Sequence, residues 1–162
     1  MKSALKRHRK KVFAGALCLL ICAAAFTGLS ASGVFSSREI TSVSVTYDAD
    51  PYNEGQSDPH TYEVSDTEDI LFLQNVLSGT KPLRGGAGCP FKQIVLHVTY
   101  SDGSKSDYYP ACDSCNTIAM GDPDNSDNHY EIDQNVLFEF RQRISRYVPD
   151  LSDDSWWLNS LT

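Results

Sequence analysis

Alternating apolar and polar residues predict several short strands in the part of the chain that follows residue 39. In "TSVSVTYD", Val43, Val45 and Tyr47 occupy every second position, which is typical of a strand with one buried face. "TYEV" and "HYEI" predict two shorter strands. Segments rich in Asp, Asn, Pro and Gly separate these strands and predict loops, among them a flexible loop at "KPLRGGAGCP".

The clearest strand of the chain is "FKQIVLHVTY", which has Ile94, Leu96 and Val98 on one side and His97 on the other. The Asp-Gly pair in the following "SDGS" predicts a tight turn, so that "KSDYY" returns as an antiparallel partner. Because His97 lies in the middle of a strand, on its less apolar side, we interpret it as a residue that packs across the strands rather than as a catalytic base.

Two segments with apolar residues three and four positions apart predict amphipathic helices. The first, "SDTEDILFLQNVLSG", has Ser65 and Glu68 at the spacing of a capping box and Gly79 at the position of a C-terminal cap. The second, "DQNVLFEFRQRISRYV", is followed by Pro149, which we expect to end it. The apolar positions are Ile70, Leu73 and Leu77 in the first helix and Leu137, Phe140, Ile144 and Tyr147 in the second.

These elements follow one another in the order β-β-α-β-β-β-α, which predicts an α+β fold. Five short strands and two helices favour a small antiparallel sheet with both helices on one face. We expect this domain to span residues 40–148 and a C-terminal tail to span 149–162. The tail is polar apart from Trp156 and Trp157, which we expect to pack back on the domain.

The N-terminus has the pattern of an export signal. Residues 1–11 contain six Lys and Arg and no acidic residue, whereas residues 12–29 carry no charge. As a helix, the apolar segment would be about 27 Å long, close to the ~30 Å thickness of the hydrocarbon core of a membrane. We therefore predict an N-terminal hydrophobic helix that anchors the chain in the cell membrane as a single pass. A stalk over 30–39 would then lead to a C-terminal domain outside the cell.

Two other fates of the apolar segment stay open. Small residues at Ala31 and Gly33 would suit cleavage after Gly33, which would release a secreted protein. A lipoprotein would use Cys22, but the preceding Ile21 is bulky where such signals carry a small residue. All three alternatives place the domain outside the cytoplasm.

The charge of the chain is strongly segregated. The net charge is −7 for the whole chain, and because residues 1–11 contribute +6, the remainder carries −13. So acidic a domain argues against nucleic acid and anionic surfaces as partners. It would suit cations or basic peptides, and it also favours solubility.

Three of the five cysteines lie in the predicted domain: Cys89, Cys112 and Cys115. Outside the cytoplasm such residues are expected to form a disulfide. Cys89 precedes the central hairpin, and the other two follow it, so all three lie near its open end. A Cys89–Cys112, Cys89–Cys115 or Cys112–Cys115 bridge is therefore the favoured interpretation, and the sequence does not choose between them.

Two further interpretations give these cysteines a chemical role. Cys112 and Cys115 have the spacing of a zinc knuckle, which Cys89 and either His97 or His129 would complete. A Cys-x-x-Cys pair could also be a thiol redox site. However, this pair follows a hairpin strand, and the charge of Asp113 raises the pKa of a neighbouring thiol rather than lowering it.

The segment "DPDNSDNHYEID" partly matches a calcium-binding loop. Its sixth position is Asp127 instead of the glycine that the sharp turn requires, and its last is Asp instead of a bidentate Glu. We expect a solvated turn here, or at most a weak calcium site. The residues at the ligand positions are Asp122, Asp124, Ser126, Asn128 and Asp133.

The stretches "QIVLHVTYSDGSKSDYY" and "HYEID…LFEFRQRI" resemble a group of small exported domains of Gram-positive bacteria, most of which are uncharacterised. The resemblance covers roughly residues 40–148. It implies an extracytoplasmic accessory or sensing module and carries over no catalytic residue. The three cysteines are not part of the shared pattern.

We therefore expect a membrane-anchored, extracytoplasmic, non-enzymatic domain that binds a protein, a peptide or a cell-envelope component. The sequence contains no Gly-x-Ser-x-Gly, His-Glu-x-x-His or phosphate-loop signature, and we expect no cofactor. The alternative is a metal-binding protein (zinc or weakly held calcium) or a thiol-redox protein. That alternative would use the cluster Cys89, Cys112 and Cys115.

Overall fold

The computed structural model describes residues 38–53, 55–152 and 157. The segments expected at 1–11 and 12–29, and most of the expected stalk, lie outside the described residues. No helix within these ranges is both long enough and apolar enough to span a membrane. The strands are β1 (Ile40–Tyr47), β2 (His60–Glu63), β3 (Lys81–Pro82), β4 (Ile94–Tyr100), β5 (Lys105–Pro110), β6 (Thr117–Met120) and β7 (His129–Glu131). The helices are α1 (Thr67–Ser78), α2 (Gln134–Ser145) and α3 (Pro149–Ser152).

The seven strands form one antiparallel sheet in the order β2-β1-β4-β5-β6-β7-β3. The predicted antiparallel sheet and the α+β class are therefore confirmed. The hairpin of β4 and β5 turns at Gly103, which has a φ of +80°, in the predicted Asp-Gly turn. In the register, Val45 lies opposite Leu96, and Leu96 lies opposite Tyr108.

Two strands were missing from the predicted set of five. β6 occupies "TIAM", directly after the cysteine loop, and forms ladders with both β5 and β7. β3 has only two residues, and it shows that the expected flexible loop "KPLRGGAGCP" begins as part of the sheet. β3 is an edge strand, which is where Pro82 is tolerated because proline has no N–H to donate.

Helix α1 begins one residue later than the predicted capping box implies. Its N-cap is Asp66 rather than Ser65, and an Asp66 carboxylate oxygen accepts the backbone N–H of Glu68 at 2.8 Å. A carboxylate suits this position because it also interacts favourably with the helix dipole. Gly79 caps the C-terminus as predicted, and its N–H donates to the Asn75 carbonyl at 3.1 Å.

The second long helix, α2, ends at Ser145, before the position expected from Pro149. Pro149 instead opens the short helix α3, which fits the preference of proline for the first helical position. Leu151 of α3 and Trp157 are fully buried. Pro149–Ser152 and Trp157 of the expected tail over 149–162 are thus built into the domain, as expected for Trp157. Trp156 lies outside the described residues.

One face of the sheet shares a single hydrophobic core with α1 and α2. Burial of these apolar side chains is the main source of stability for a domain of this size. The sheet contributes Val43, Val45, Ile94, Leu96, Val98 and Ile118, and the helices contribute Leu73, Val76, Leu77, Leu137, Phe140 and Ile144, together with Val148, Leu151 and Trp157.

Candidate functional site

The opposite face of the sheet, which we call the open face, carries a row of polar side chains across four strands. Thr61 and Thr46 are joined by a hydroxyl–hydroxyl hydrogen bond of 2.8 Å. The Thr46 hydroxyl also lies 2.9 Å from Nε2 of His97, whose Nδ1 donates to the Asp107 carboxylate at 2.7 Å. Adjacent registers of β2, β1, β4 and β5 bring these residues together.

This row has the connectivity of a hydroxyl–histidine–aspartate triad, but its surroundings favour a structural role. His97 and Asp107 are 42% and 45% exposed, so water is not excluded from the hydrogen bond between them. Strand β1 is hydrogen-bonded on both sides over Ser44–Tyr47, so its ladder N–H groups are not aimed at an oxyanion. His97 therefore links strands, in accord with the interpretation from sequence.

A loop over residues 83–93 covers the other part of the open face. Phe91 packs there with Ala111 and Ala119 in a second, smaller core, which Ala87, Cys89, Tyr109 and Cys115 flank. Gly86, with a φ of +71°, lies so close to Ser126 that an added Cβ would be 2.6 Å from the Ser126 Cβ. The loop is therefore seated against the turn that precedes β7.

His129 joins this loop to its neighbour. Its Nδ1 accepts the backbone N–H of Ala87 at 2.9 Å, and its Nε2 donates to the Pro123 carbonyl at 2.9 Å. The ring also contacts Phe91, with 4.8 Å between the centroids. Because both ring nitrogens bind backbone groups, the structure gives His129 a structural role instead of the suggested place in a zinc site.

The acidic residues of the suggested calcium loop form hydrogen bonds and ion pairs with neighbouring groups. Asp122 accepts the N–H of Asp124 at 3.0 Å, and Asp124 forms an ion pair of 2.8 Å with Lys92. Asp133 is the N-cap of α2 and accepts the N–H of Asn135 at 2.9 Å. Within residues 38–53 and 55–152, these carboxylates do not form a cluster of three or more potential metal ligands.

Two clefts open on this side of the molecule and meet at Pro123. The first, the Tyr52 cleft, has a volume of about 330 Å³, and the second, the Tyr109 cleft, has a volume of about 590 Å³. The Tyr52 cleft is lined by Tyr52, Ala87, Gly88, Cys89, Phe91, Lys92, Pro123, Asp124, Ser126 and His129. The Tyr109 cleft is lined by Lys105, Ser106, Asp107, Tyr109, Met120, Gly121, Asp122 and Pro123.

The structure separates the three cysteines, which are free thiols, into a pair and a single residue. The sulfur atoms of Cys89 and Cys115 and a carboxylate oxygen of Asp113 all lie within 4.8 Å of one another, and all three residues are partly exposed. Cys112 is instead buried in the main core, where its thiol donates to the Pro110 carbonyl at 3.5 Å. Of the three pairings left open by the sequence, only Cys89 with Cys115 matches this arrangement.

A buried arginine organises the loop that carries two of these residues. One terminal nitrogen of Arg141 donates to the backbone carbonyls of Ala111, Asp113 and Cys115, the last at 3.2 Å. The other donates to the Trp157 carbonyl at 2.9 Å, and the guanidinium lies 4.6 Å from the centre of the Trp157 ring. Sequence reasoning missed Arg141, although its position four residues after Leu137, within the apolar stripe of α2, signals burial.

The surroundings favour the protonated form of all three thiols. Burial raises the pKa of Cys112 to about 12. Burial, followed by the hydrogen bond with Cys115 and the charge of Asp113, raises the pKa of Cys89 to about 12. For Cys115 the hydrogen bond with Cys89 lowers the pKa, but burial and Asp113 together raise it above its ordinary value. A thiol oxidoreductase needs the opposite shift, so the geometry does not favour redox catalysis.

A comparison of the chain with protein-family models, curated proteins and solved structures finds no match.

Proposed function

We propose that this protein is a non-enzymatic, extracytoplasmic binding module, anchored in the membrane by residues 12–29, and that the open face receives its partner. In this proposal, the two long helices α1 and α2 pack on the face of the sheet opposite the open face. The partner would be a protein or peptide segment, or a component of the cell envelope.

The observation that carries the proposal is the pair of clefts that meet at Pro123 on the open face. Their volumes fall in the range of about 300–1,000 Å³ that is usual for ligand sites. Tyr52 and Tyr109 line the two clefts, and tyrosine combines an apolar ring with a hydrogen-bonding group, as is common in interfaces. A continuous binding surface of this kind would suit an extended segment better than a small compact ligand.

The charge around the clefts supports a partner with basic groups. Asp107 and Asp122 line the Tyr109 cleft, and Asp124 lines the Tyr52 cleft, beside Lys92. Because the chain beyond residue 11 carries a net charge of −13, long-range attraction would favour the approach of a cationic partner. Binding should then weaken as the ionic strength rises.

The proposal can be tested by photo-crosslinking in the cells that make the protein, with the full-length chain. A photoreactive amino acid would replace Tyr52, which is 62% exposed, or Lys105, one in each cleft. The matched control replaces Phe138 on α2, which is 51% exposed and lines neither cleft.

We expect the same partner to be cross-linked from Tyr52 and from Lys105, but not from Phe138, and the adduct to diminish at high salt. Mass spectrometry of the adduct distinguishes a polypeptide from an envelope polymer. Equal cross-linking at all three positions, or no adduct at either cleft, would contradict the proposal.

A further inference from the structure

Three potential metal ligands converge from two loops next to the open face. Cys89 belongs to the loop before β4, whereas Asp113 and Cys115 belong to the loop between β5 and β6. Their ligand atoms lie within 4.8 Å of one another. Around a tetrahedral zinc ion with Zn–S distances of about 2.3 Å, neighbouring ligand atoms are about 3.8 Å apart. The three side chains would therefore need to move by only about 1 Å or less to enclose such an ion.

We propose that Cys89, Asp113 and Cys115 form a binding site for a thiophilic divalent cation, of which Zn²⁺ is the most suitable. The arrangement of these three side chains supports the site, and the proposal does not depend on what binds to the open face. It differs from the zinc site considered from sequence, because Cys112 points into the core and both ring nitrogens of His129 bind backbone groups.

Both loops are held in place by bonds outside the ligand atoms. The backbone N–H of Cys112 donates to the Pro90 carbonyl at 2.8 Å, which ties the two loops together next to Cys89. The Asp113 carboxylate accepts the backbone N–H of Cys115 at 2.9 Å, which holds it beside that thiol. Arg141 binds the backbone carbonyls of the same loop. Supporting bonds of this kind orient ligands and are typical of metal sites.

The charges of the cluster favour a cation. Once the two thiols release their protons to a bound ion, two thiolates and a carboxylate bring three negative charges together. A divalent ion would reduce the sum to −1, and the guanidinium of Arg141 lies close enough to interact electrostatically with Asp113 and Cys115. Binding would displace the two thiol protons into solution, so that the site takes up one M²⁺ and releases up to two H⁺.

The chemical nature of the three ligands determines which metal ion the site prefers. Thiolate sulfur prefers zinc and other soft or borderline ions to calcium or magnesium, which require oxygen. Three protein ligands leave a fourth tetrahedral position, and the partial exposure of the residues lets water or an external group occupy it. Cys89 also lines the Tyr52 cleft, so that this fourth position adjoins the cleft.

The test uses the full-length chain, solubilised under reducing conditions and titrated with Co²⁺ as a spectroscopic probe and with Zn²⁺ as competitor. We expect one ion per chain, thiolate-to-cobalt charge-transfer absorption with tetrahedral d–d bands, and displacement by Zn²⁺. Alkylation followed by mass spectrometry should show that Zn²⁺ protects Cys89 and Cys115 and leaves Cys112 unaffected.

Matched variants distinguish this site from the alternatives. Cys89→Ser, Cys115→Ser and Asp113→Asn should each lower the affinity for Co²⁺ by about 100-fold or more, beyond the 10–100-fold typical of supporting residues. Cys112→Ala, in the same Cys-x-x-Cys sequence, should retain it, and circular dichroism verifies that each variant is folded.

Either of two outcomes would overturn the proposal. The first is loss of binding in Cys112→Ala with retention in Asp113→Asn, which would move the site to the cysteine triplet. The second is a reduced chain that takes up no metal and that air converts to a Cys89–Cys115 disulfide, which would make the pair a structural bridge.

Discussion

Arg141 of α2 donates a hydrogen bond of 3.2 Å to the backbone carbonyl of Cys115, and this bond connects the main helix of the core to the loop of the cysteine cluster. The same nitrogen also binds the carbonyls of Ala111 and Asp113. This nitrogen carries two N–H groups, so one of them is shared between two carbonyls, while the other terminal nitrogen of the planar guanidinium binds the Trp157 carbonyl. The conformation of the loop thus depends on a side chain that is distant in sequence.

Replacing Arg141 by Met should therefore destabilise the domain and disturb the cluster together. We expect the free energy of unfolding in urea to fall by about 3–5 kcal/mol, because the buried carbonyls lose their donor. The affinity for Co²⁺ should fall by about 10–100-fold. Arg146→Met, at the C-cap of the same helix, is the control: Arg146 is 54% exposed and should change stability by less than about 1 kcal/mol. Equal effects of the two substitutions would contradict this role of Arg141.

Asp69 links α1 to α2 and offers a second prediction. Its carboxylate accepts hydrogen bonds from Arg143 at 2.6 Å and from the Tyr147 hydroxyl at 2.7 Å, and its side chain is only 3% exposed. Asp69→Ala should lower the free energy of unfolding by about 2–4 kcal/mol, because Arg143 and Tyr147 lose their buried acceptor.

The control for Asp69 is Glu139→Ala, since Glu139 pairs with the same Arg143 at 2.6 Å but is 49% exposed. An exposed pair of this kind contributes about 0–1 kcal/mol. Urea unfolding of both variants measures the difference. Comparable losses would show that burial of the Asp69 pair does not strengthen it.

Strongly periodic segments could be predicted from the sequence, and weakly periodic ones could not. The hairpin of β4 and β5 and the two long helices have clear periods of 2 and 3.6 residues, so their positions were predicted to within a few residues. β3 and β6 have two and four residues, too few for a period to be visible. They exist because neighbouring strands offer them ladder partners, which is a tertiary effect.

The cysteine cluster illustrates the same limit. Counting along the hairpin placed Cys89 near both Cys112 and Cys115, and it could not separate them. The alternation of β5 separates them: Tyr108 and Cys112 share a parity and are both buried in the main core, whereas Cys115 reaches the opposite side. The position of Asp113 beside Cys89 depends on the path of two loops, so the sequence indicates only its effect on the pKa of the thiols.

The fate of the N-terminal segment can be measured directly. We expect the chain isolated from its own cells to be found in the membrane fraction with residues 1–33 retained, since the apolar segment is nearly long enough to span the membrane. Intact-mass spectrometry of the fractionated protein provides the measurement. A chain that begins at Val34 and occurs in the medium would contradict anchoring and indicate a cleaved signal.

The raised pKa of Cys112 predicts a loss of stability at alkaline pH. Its pKa is about 12 in the folded protein and near the ordinary value of 9.0 when the chain is unfolded. Above pH 9 the unfolded chain therefore binds fewer protons than the folded one, so the stabilising effect is complete below pH 9 and is lost as the pH rises towards 12. Tyr108, whose pKa is also raised by burial and by its hydrogen bond with Tyr100, should add to the fall.

Urea unfolding of the reduced, metal-free chain between pH 8 and about pH 10.5 would test this prediction. Cys112→Ala removes the titrating thiol from the core, where alanine leaves only a small void, so the variant should lose less stability over the same interval than the unmodified chain. Burial also raises the pKa of Cys89 to about 12, so Cys89→Ala should reduce the alkaline loss of stability in the same direction. Equal losses of stability in Cys112→Ala and in the unmodified chain over this pH interval would contradict the prediction. They would show that ionisation of the Cys112 thiol on unfolding does not cause the loss.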